Sequence, residues 1–236
     1  IDLRYVFEDR TVENLTERIE KSKYSEYKPI PFAEEKEYYP MSSAQKRIYL
    51  ICQLDTQGVL YNMPQGIELA GNVDKEAIRA ALKEIIRRHE ILRTAFLVVN
   101  GEPVQKILKE GEEAFEYGED CTSTKEELLK DFIRPFDLSS GSLLRVKLVK
   151  REHNYMLLLD MHHIVGDGMS MGTFIKEFMV LYNKGKLDEE VRQYKDYSEW
   201  MRTRDLSVQR HYWMNEFSGE IPVLEMPLDR LRPSER

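Results

Sequence analysis

Residues 161–170 read MHHIVGDGMS and place two adjacent histidines, His162 and His163, at the end of an apolar run. The run, Tyr155 to Met161, is rich in residues that suit a buried β-strand, and an acid, a glycine and a helix-like segment follow the histidines. Because neighbouring side chains of a strand point to opposite faces, His162 is predicted to share a face with Asp160, and His163 to lie on the other. Two imidazoles on opposite faces of a strand do not readily bind one metal ion together. The pattern therefore predicts that they have different roles.

Each residue of this stretch also has an ordinary structural explanation. A histidine in an apolar strand is more often a buried core residue than a catalytic one, and Asp167-Gly168 is a common pair in simple turns. The chemical alternatives are that His163 holds or accepts a proton near neutral pH, and that Asp167 is a catalytic acid, a metal ligand or an ion-pair partner. Gly168 would let a ligand approach the backbone closely. The stretch taken alone leaves these alternatives open.

Two hairpins are predicted from the sequence, and one of them carries the histidine pair. Residues 143–149 and 155–162 form the hairpin whose second strand delivers the histidines. Residues 94–99 and 104–108 form another around Asn100-Gly101, since this dipeptide suits the positive φ angles of a type I′ turn. Alternating strands, hairpins and helices indicate the α/β class, with a mixed, largely antiparallel sheet.

The remaining segments are assigned from apolar periodicity and from cap residues. A strand is predicted at residues 62–69, and residues 110–120 are predicted to be an acidic, solvated segment. Thr11, Asp74 and Ser170 are predicted N-caps, and Gly185 is predicted at the C′ position that ends a helix. Helices are predicted at residues 12–21, 42–54, 74–90, 126–133, 170–184 and 194–217, with a break in the last near Leu206, and residues 221–236 are predicted to be extended.

Composition excludes several functional classes. The 236 residues carry a net charge of −7 and no sustained basic block, which argues against nucleic acid as a primary partner. No apolar run approaches the roughly 18 residues of a membrane-spanning helix. Cys52 and Cys121 match neither a metal-binding spacing nor a disulfide framework. A cytoplasmic protein without a membrane partner is therefore expected.

Residues 162–168, His-His-x-x-x-Asp-Gly, resemble the signature of condensation domains of nonribosomal peptide synthetases, a superfamily built like chloramphenicol acetyltransferase. Other acyltransferases share this motif, so further matches are needed. Three stretches resemble further family motifs in the expected order, namely residues 43–50 (SAQKRIYL), 88–96 (RHEILRTAF) and 194–200 (YKDYSEW). Residues 135–138 and 226–230 also have the character of the family. Four motifs in one order make the resemblance specific.

The resemblance implies a domain organisation. Residues 39–236 are expected to form the N-terminal subdomain of a condensation domain, a chloramphenicol acetyltransferase-like sandwich of one mixed, largely antiparallel sheet and helices that is half of a V-shaped pseudo-dimer. The family's later motifs are not found in this chain, so the C-terminal subdomain is expected to be absent from it. Residues 1–23 resemble the C-terminal helix of an upstream peptidyl carrier protein, and residues 24–38 are expected to be the linker.

The resemblance also implies a reaction. A donor aminoacyl or peptidyl thioester and an acceptor aminoacyl thioester, each on the 4′-phosphopantetheine arm of a carrier domain, are joined by an amide bond. No intrinsically bound cofactor or metal is expected. The implied partners are the upstream donor carrier, the downstream acceptor carrier, an adenylation domain and the C-terminal subdomain.

The family's site residues are carried over by position in the motifs. His163 is expected to be the catalytic residue, as general base or by orienting the amine, and His162 to support the fold. Asp167 resembles the family's structural aspartate, which pairs with an arginine, and Arg93 is the expected partner. Losing one partner of such a buried pair costs about 3–5 kcal/mol. Gly168 is expected to keep the backbone free beside the thioester.

Subtype and alternatives follow from the same comparison. Residues 42–47 keep a Ser-x-Ala-Gln-x-Arg pattern, which resembles the subtype that joins an L-configured donor to an L-configured acceptor. The alternatives are an epimerisation domain, another acyltransferase with this histidine motif, or a non-catalytic recruitment scaffold. These 236 residues alone are expected to be inactive, because the family's active site lies between its two halves.

Overall fold

The structure is a computed structural model that describes residues 4–22, 29–112, 114–188 and 192–221. Its chain divides into two compact units, residues 1–32 and residues 33–236. The predictions for residues 24–28, for 226–230 and for the extended tail from 222 onward lie outside the described residues.

The first unit contains two helices, α1 (Arg4–Glu8) and α2 (Val12–Lys21). Helix α2 begins as predicted, because the Thr11 side chain accepts a hydrogen bond from the amide of Asn14. The Arg18 guanidinium binds the Asp9 carboxylate and lies 4.1 Å from the centre of the Tyr5 ring, which ties the two helices together. Helix α1 was not predicted from the sequence.

The second unit contains six helices and seven strands among the described residues. The helices are α3 (Ser43–Leu54), α4 (Lys75–Arg88), α5 (Lys125–Phe132), α6 (Gly168–Tyr182), α7 (Tyr194–Thr203) and α8 (Ser207–Glu216). The strands are β1 (Tyr39–Pro40), β2 (Gln65–Leu69), β3 (Thr94–Val99), β4 (Glu102–Ile107), β5 (Phe115–Glu119), β6 (Leu144–Lys150) and β7 (Tyr155–Met161), and a 3-10 turn covers Glu90–Arg93.

The strands form two sheets, with the orders β1-β4-β3 and β2-β7-β6-β5. All neighbours are antiparallel except β5 and β6, which are parallel. Both predicted hairpins are confirmed, and Asn100 and Gly101 have φ angles of +52° and +80°, as a type I′ turn requires. The predicted α/β class with a mixed, largely antiparallel sheet is therefore confirmed.

Strand β7 lies between two apolar clusters. Its residues Leu157, Leu159 and Met161 belong to the main core, together with buried residues of α4 and α6. Its residues Met156 and Leu158 face a smaller cluster formed with Val149, Leu128 and Phe132, where α5 covers the sheet. This division explains why the strand reads as a continuous apolar run, since both of its faces are buried.

Caps explain where several helices begin. Ser42 and Gln45 form a reciprocal capping box at α3, and the Asp74 carboxylate accepts hydrogen bonds from two amides of α4. The predicted break near Leu206 is confirmed, because α7 ends at Thr203 and α8 begins at Ser207.

Three predictions about elements are wrong. Residues 115–119 form a strand within the acidic segment, because Phe115 is buried against β6 while acidic neighbours face solvent. Helix α6 is capped by Asp167, and Ser170 supplies the amide that it binds. The same helix ends in a Schellman arrangement whose left-handed residue is Lys184, with a φ of +59°, and Gly185 follows it and donates to the carbonyl of Val180.

Within the described ranges, no helix combines the length and the apolar character that crossing a bilayer requires.

Candidate active site

The hairpin of β6 and β7 brings the histidine pair to the end of a buried ladder. Seven residue pairs align β6 with β7, from Lys150 opposite Tyr155 to Leu144 opposite Met161. Regular pairing stops there. The His162 amide still donates to the carbonyl of Leu143 at 3.0 Å, and His162 forms an isolated bridge with Asn62 on the other side. The histidines are therefore held by backbone contacts where β7 gives way to a turn.

His162 is buried, with 5% of its surface exposed. Its Nδ1 accepts a hydrogen bond from the amide of Ile164 at 3.1 Å, so the neutral ring carries its proton on Nε2. Nε2 lies 3.7 Å from Sγ of Cys52, and the Phe136 ring meets the imidazole edge-on at 5.9 Å between ring centres. Burial, with smaller effects from the charges of His163 and Arg145, lowers the pKa of His162 to about 4. The ring is therefore neutral at pH 7.

His163 has the opposite environment, since it is exposed. Its amide donates to the carbonyl of Tyr61 at 2.8 Å, which fixes the backbone, and none of the described residues forms a hydrogen bond with its ring. The imidazole is therefore accessible to a molecule bound at the surface. The structure thus gives the two histidines different environments, as strand alternation predicts.

The predicted pairing of Asp167 with Arg93 is wrong. The Asp167 carboxylate is exposed and accepts hydrogen bonds from the amide and the hydroxyl of Ser170, both at 2.8 Å. These bonds hold the pKa of Asp167 below its ordinary value. An N-cap satisfies the carboxylate locally, so no distant arginine is needed. Asp167 starts α6 immediately after the histidine motif.

Arg93 instead contacts its own motif segment and the residue that follows β4. Its guanidinium donates to the carbonyl of Leu108 and lies 3.8 Å from the Glu90 carboxylate. Glu90 also pairs with Lys195 at 2.8 Å, and the hydroxyls of Ser42 and Tyr194 lie 2.9 Å apart. Polar contacts therefore tie the fourth motif segment to the second and to Ser42, which immediately precedes the first.

The two glycines of the motif differ in their surroundings. A Cβ at Gly168 would meet nothing within 4 Å among the described residues, so their packing does not require glycine there. A Cβ at Gly166 would lie 2.8 Å from Sδ of Met161 and 3.3 Å from Cβ of Ser170. A side chain at Gly166 would therefore require Met161 to shift, and the sequence analysis did not single out this position.

A buried polar cluster beside the histidines was also missed. Asp160 has 0% of its surface exposed. Its carboxylate lies 3.7 Å from the guanidinium of Arg145 and accepts a hydrogen bond from the side-chain nitrogen of Asn62 at 2.7 Å. Burial raises the pKa of Asp160 and lowers that of Arg145 to about 10, so the guanidinium stays charged at neutral pH. The signal was present, because both charged residues interrupt apolar strands that the predicted hairpin pairs.

A cavity of about 470 Å³ lies on the His162 side of the motif. Tyr49, Cys52, Phe96 and Phe136 contribute to its wall, and His163 does not line it. Among the described residues, no group of three or more metal-ligating side chains is placed to hold an ion.

The fold and the histidine motif together place the chain in a family. A family model described as "Condensation domain" matches residues 35–236. The chain therefore belongs to the condensation-domain family, and the resemblance to nonribosomal peptide synthetase condensation domains is confirmed.

The chain is similar to segments of much longer synthetases. It is 44% identical to bacitracin synthase 3 of Bacillus licheniformis, over 100% of this chain and 4% of that protein. It is also 40% identical to tyrocidine synthase 3 of Brevibacillus parabrevis, over 99% of this chain and 4% of that protein. The chain therefore spans a small part of the curated relatives it matches.

Solved structures agree on the fold. The condensation domain of the monacolin K polyketide synthase MokA matches with a TM-score of 0.69 at 22% identity, over 84% of this chain and 48% of that one. The X-domain from teicoplanin biosynthesis matches with a TM-score of 0.71 at 26% identity, over 88% of this chain and 49% of that one. These similarities confirm the chloramphenicol acetyltransferase-like fold. The chain spans about half of each solved neighbour.

The buried His162 predicts a pH dependence of stability. Its pKa falls from 6.5 to about 4 on folding, so below pH 6.5 the unfolded chain binds a proton that the folded chain does not. This linkage lowers the free energy of unfolding as the pH falls towards 4, by up to about 3 kcal/mol. Urea unfolding of His162→Gln should show a shallower loss of stability between pH 6.5 and 4.5 than the parent. His153→Gln, at an exposed loop, should follow the parent, and equal slopes for all three proteins would contradict the assignment.

The cap at Asp167 predicts a modest effect of mutation and no coupling to Arg93. Asp167→Ala should lower the free energy of unfolding by about 0.5–2 kcal/mol, as expected for loss of an N-cap. In a double-mutant cycle with Arg93→Ala, the two losses should add to within about 0.5 kcal/mol. A coupling energy of several kcal/mol between Asp167 and Arg93, measured by urea unfolding, would support the ion pair that the resemblance implied.

Proposed function

We propose that this chain forms an amide bond as the histidine-bearing half of a condensation domain, with His163 as the catalytic residue. The observation that supports this role most directly is the contrast between the two imidazoles. His162 is buried and locked as a neutral tautomer, whereas His163 is exposed on a backbone that Tyr61 holds. Of the two, His163 is the one that a substrate can reach.

The reaction requires proton management. The α-amine of the acceptor attacks the thioester carbonyl of the donor, a carbon–nitrogen bond forms, the carbon–sulfur bond breaks, and the proton lost by the amine leaves with the pantetheine thiol. An α-amino group titrates near pH ~8, so about a tenth is neutral at pH 7. His163 either accepts the amine proton or orients the neutral amine by a hydrogen bond. Such assistance contributes about 10²–10⁴-fold in rate.

The other motif residues act on the position of His163. Asp167 starts α6 directly after the motif and so fixes the turn that carries the imidazole. Gly168 keeps the adjacent surface clear, because none of the described residues would contact a side chain there. Met169, with 83% of its surface exposed, stands where many family members carry a bulkier side chain.

The proposed partners are those of a condensation domain in a synthetase. The donor arrives on an upstream carrier and the acceptor on a downstream carrier, each on a phosphopantetheine arm, beside an adenylation domain. Residues 1–23 are proposed as the C-terminal helix of the donor carrier and residues 24–38 as the linker. The separate first unit and the family match that begins at residue 35 support this division. The intact Ser-x-Ala-Gln-x-Arg pattern of residues 42–47 supports an L-configured donor and acceptor.

A recruitment scaffold is the second candidate. The X-domain of teicoplanin biosynthesis has been solved as a complex with OxyB, and it matches this chain with a TM-score of 0.71 at 25% identity. The presence of His163 favours catalysis, because scaffolds of this family usually lack the second histidine of the motif. An epimerisation domain or another acyltransferase is less well supported, because the glycine of the motif and the first motif are both intact.

Removing the imidazole of His163 should abolish most of the activity. In a complete condensation domain that contains these residues, dipeptide formation from two loaded carriers should fall by about 10²–10⁴-fold in His163→Ala. His153→Ala, an exposed histidine far along the hairpin, is the matched control and should keep the parent rate. Full activity of His163→Ala would remove this residue from the mechanism and favour the scaffold.

Residues 1–236 alone should be inactive. The His163 side chain is exposed among the described residues. The reaction requires both thioesters to be oriented around this side chain, and we assign part of that task to the C-terminal subdomain. The isolated chain, incubated with both loaded carriers, should form no dipeptide above the rate without protein. Dipeptide formation by this chain would show that the second half is unnecessary.

A further inference from the structure

A short segment before β2 holds the backbone of the histidine motif. We call residues 61–63 the strap. The Met63 amide donates to the carbonyl of Met161 at 2.9 Å, and the His163 amide donates to the carbonyl of Tyr61 at 2.8 Å. The central residue, Asn62, forms the isolated bridge with His162. The strap thus continues the pairing of β2 with β7 across both histidines.

The Asn62 side chain fastens the strap to the core. Its amide nitrogen donates to the Asp160 carboxylate at 2.7 Å and to the carbonyl of Arg134 at 3.0 Å. Asp160 precedes the histidines by two residues on the same strand, so this contact crosses from the strap directly to β7. A displacement of the Asn62 side chain would therefore loosen the backbone that carries His163.

Arg145 completes the cluster from the neighbouring strand. Its guanidinium lies 3.7 Å from the Asp160 carboxylate and donates to the same Arg134 carbonyl at 2.6 Å. It also stacks 3.5 Å above the Phe136 ring, whose edge faces the imidazole of His162. Three side chains from three segments therefore converge beneath the histidine pair.

Stability alone does not explain such a cluster. Burying an ion pair costs desolvation energy that its attraction often fails to recover, and apolar residues of similar volume are often as good or better. Among the described residues, Nε and Nη1 of Arg145 and Oδ1 of Asp160 also find no hydrogen-bond partner. A buried polar network of this kind specifies geometry, because its hydrogen bonds are directional.

We propose that Asn62, Asp160 and Arg145 are positioning residues that fix the His163 backbone through the strap. Asp160 and Arg145 are buried, and the effect of all three residues on the reaction rests on the function proposed above. The structural part of the proposal is independent of that function, since it concerns only the hydrogen bond between the His163 amide and Tyr61.

Hydrogen exchange tests the structural part on the 236-residue chain itself. In Asn62→Ala, the amide of His163 should exchange at least about tenfold faster than in the parent, relative to the amide of Ile85 in the buried face of α4. The ratio of the His163 exchange rate to the Ile85 exchange rate separates local loosening from global destabilisation, because global destabilisation would raise both rates. Asp160→Asn keeps an oxygen that can accept from the side-chain amide of Asn62, so the His163 amide should retain most of its protection from exchange. Asn72→Ala, at an exposed asparagine before α4, is the matched control and should leave the ratio unchanged.

An unchanged ratio in Asn62→Ala would overturn the proposal, as would an equal rise at His163 and Ile85. The result does not depend on catalysis, so it stands whether or not the chain acts as a condensation domain.

Kinetics in a complete condensation domain test the catalytic part. Asn62→Ala should lower kcat about tenfold or more with little change in the KM for the loaded acceptor carrier, because a small misplacement of a catalytic group is costly. In a His163→Ala background, the same substitution should cause no further loss, since residues that act as a unit are not additive. A further tenfold loss in that background would show that Asn62 acts independently of His163 and would overturn the proposal. Full activity of His163→Ala would instead refute the proposed function and leave the exchange result in place.

Discussion

The antiparallel ladder between β6 and β7 is the interaction on which the rest of the structure depends. Its register places Leu144 opposite Met161 and Arg145 opposite Asp160. Each face of β7 packs into its own apolar cluster, so the register is fixed from both sides. A slip of one residue would turn every side chain of β7 to the other face, separate the buried ion pair and exchange the environments of the histidines.

The proposed role of His163 depends on the way this ladder ends. Regular pairing of β6 with β7 stops at Met161, and on the other side of β7 the strap continues the pairing across the two histidines. His162 stays in the core as a neutral ring whose Nδ1 receives the Ile164 amide. His163 reaches the surface on a backbone with little freedom. A group that must meet an incoming amine benefits from this combination of exposed ring and fixed main chain.

Local signals predicted much of this fold from the sequence. The hairpin turn at Asn100-Gly101, the cap at Asp74 and the strand that carries the histidines follow from neighbouring residues, and the structure has all three. Strand β5 was missed because its acidic side chains conceal a single buried aromatic, Phe115, whose partner strand is distant in the chain.

The site was predicted less completely than the fold, because several of its contacts join residues that are distant in the chain. The motif resemblance predicted His163 as the catalytic residue and Arg93 as the partner of Asp167. The Asp167 carboxylate instead accepts hydrogen bonds from Ser170 as the N-cap of α6. The contact between Asn62 and Asp160 depends on segments 98 residues apart, so only the folded register reveals it. Periodicity and caps depend on residues that are close together along the chain, so they do not predict contacts between distant segments.

The state of the His162 imidazole tests the central claim most directly, because its burial depends on the register of β7 and on the turn that follows. Nitrogen-15 NMR of the histidine side chains, with His162 assigned from the spectrum of His162→Gln, reports both tautomer and charge. We expect the neutral form protonated on Nε2 at pH 6.5 and no titration above about pH 5, given a pKa of about 4. An imidazolium, or a proton on Nδ1, at pH 6.5 would contradict the account.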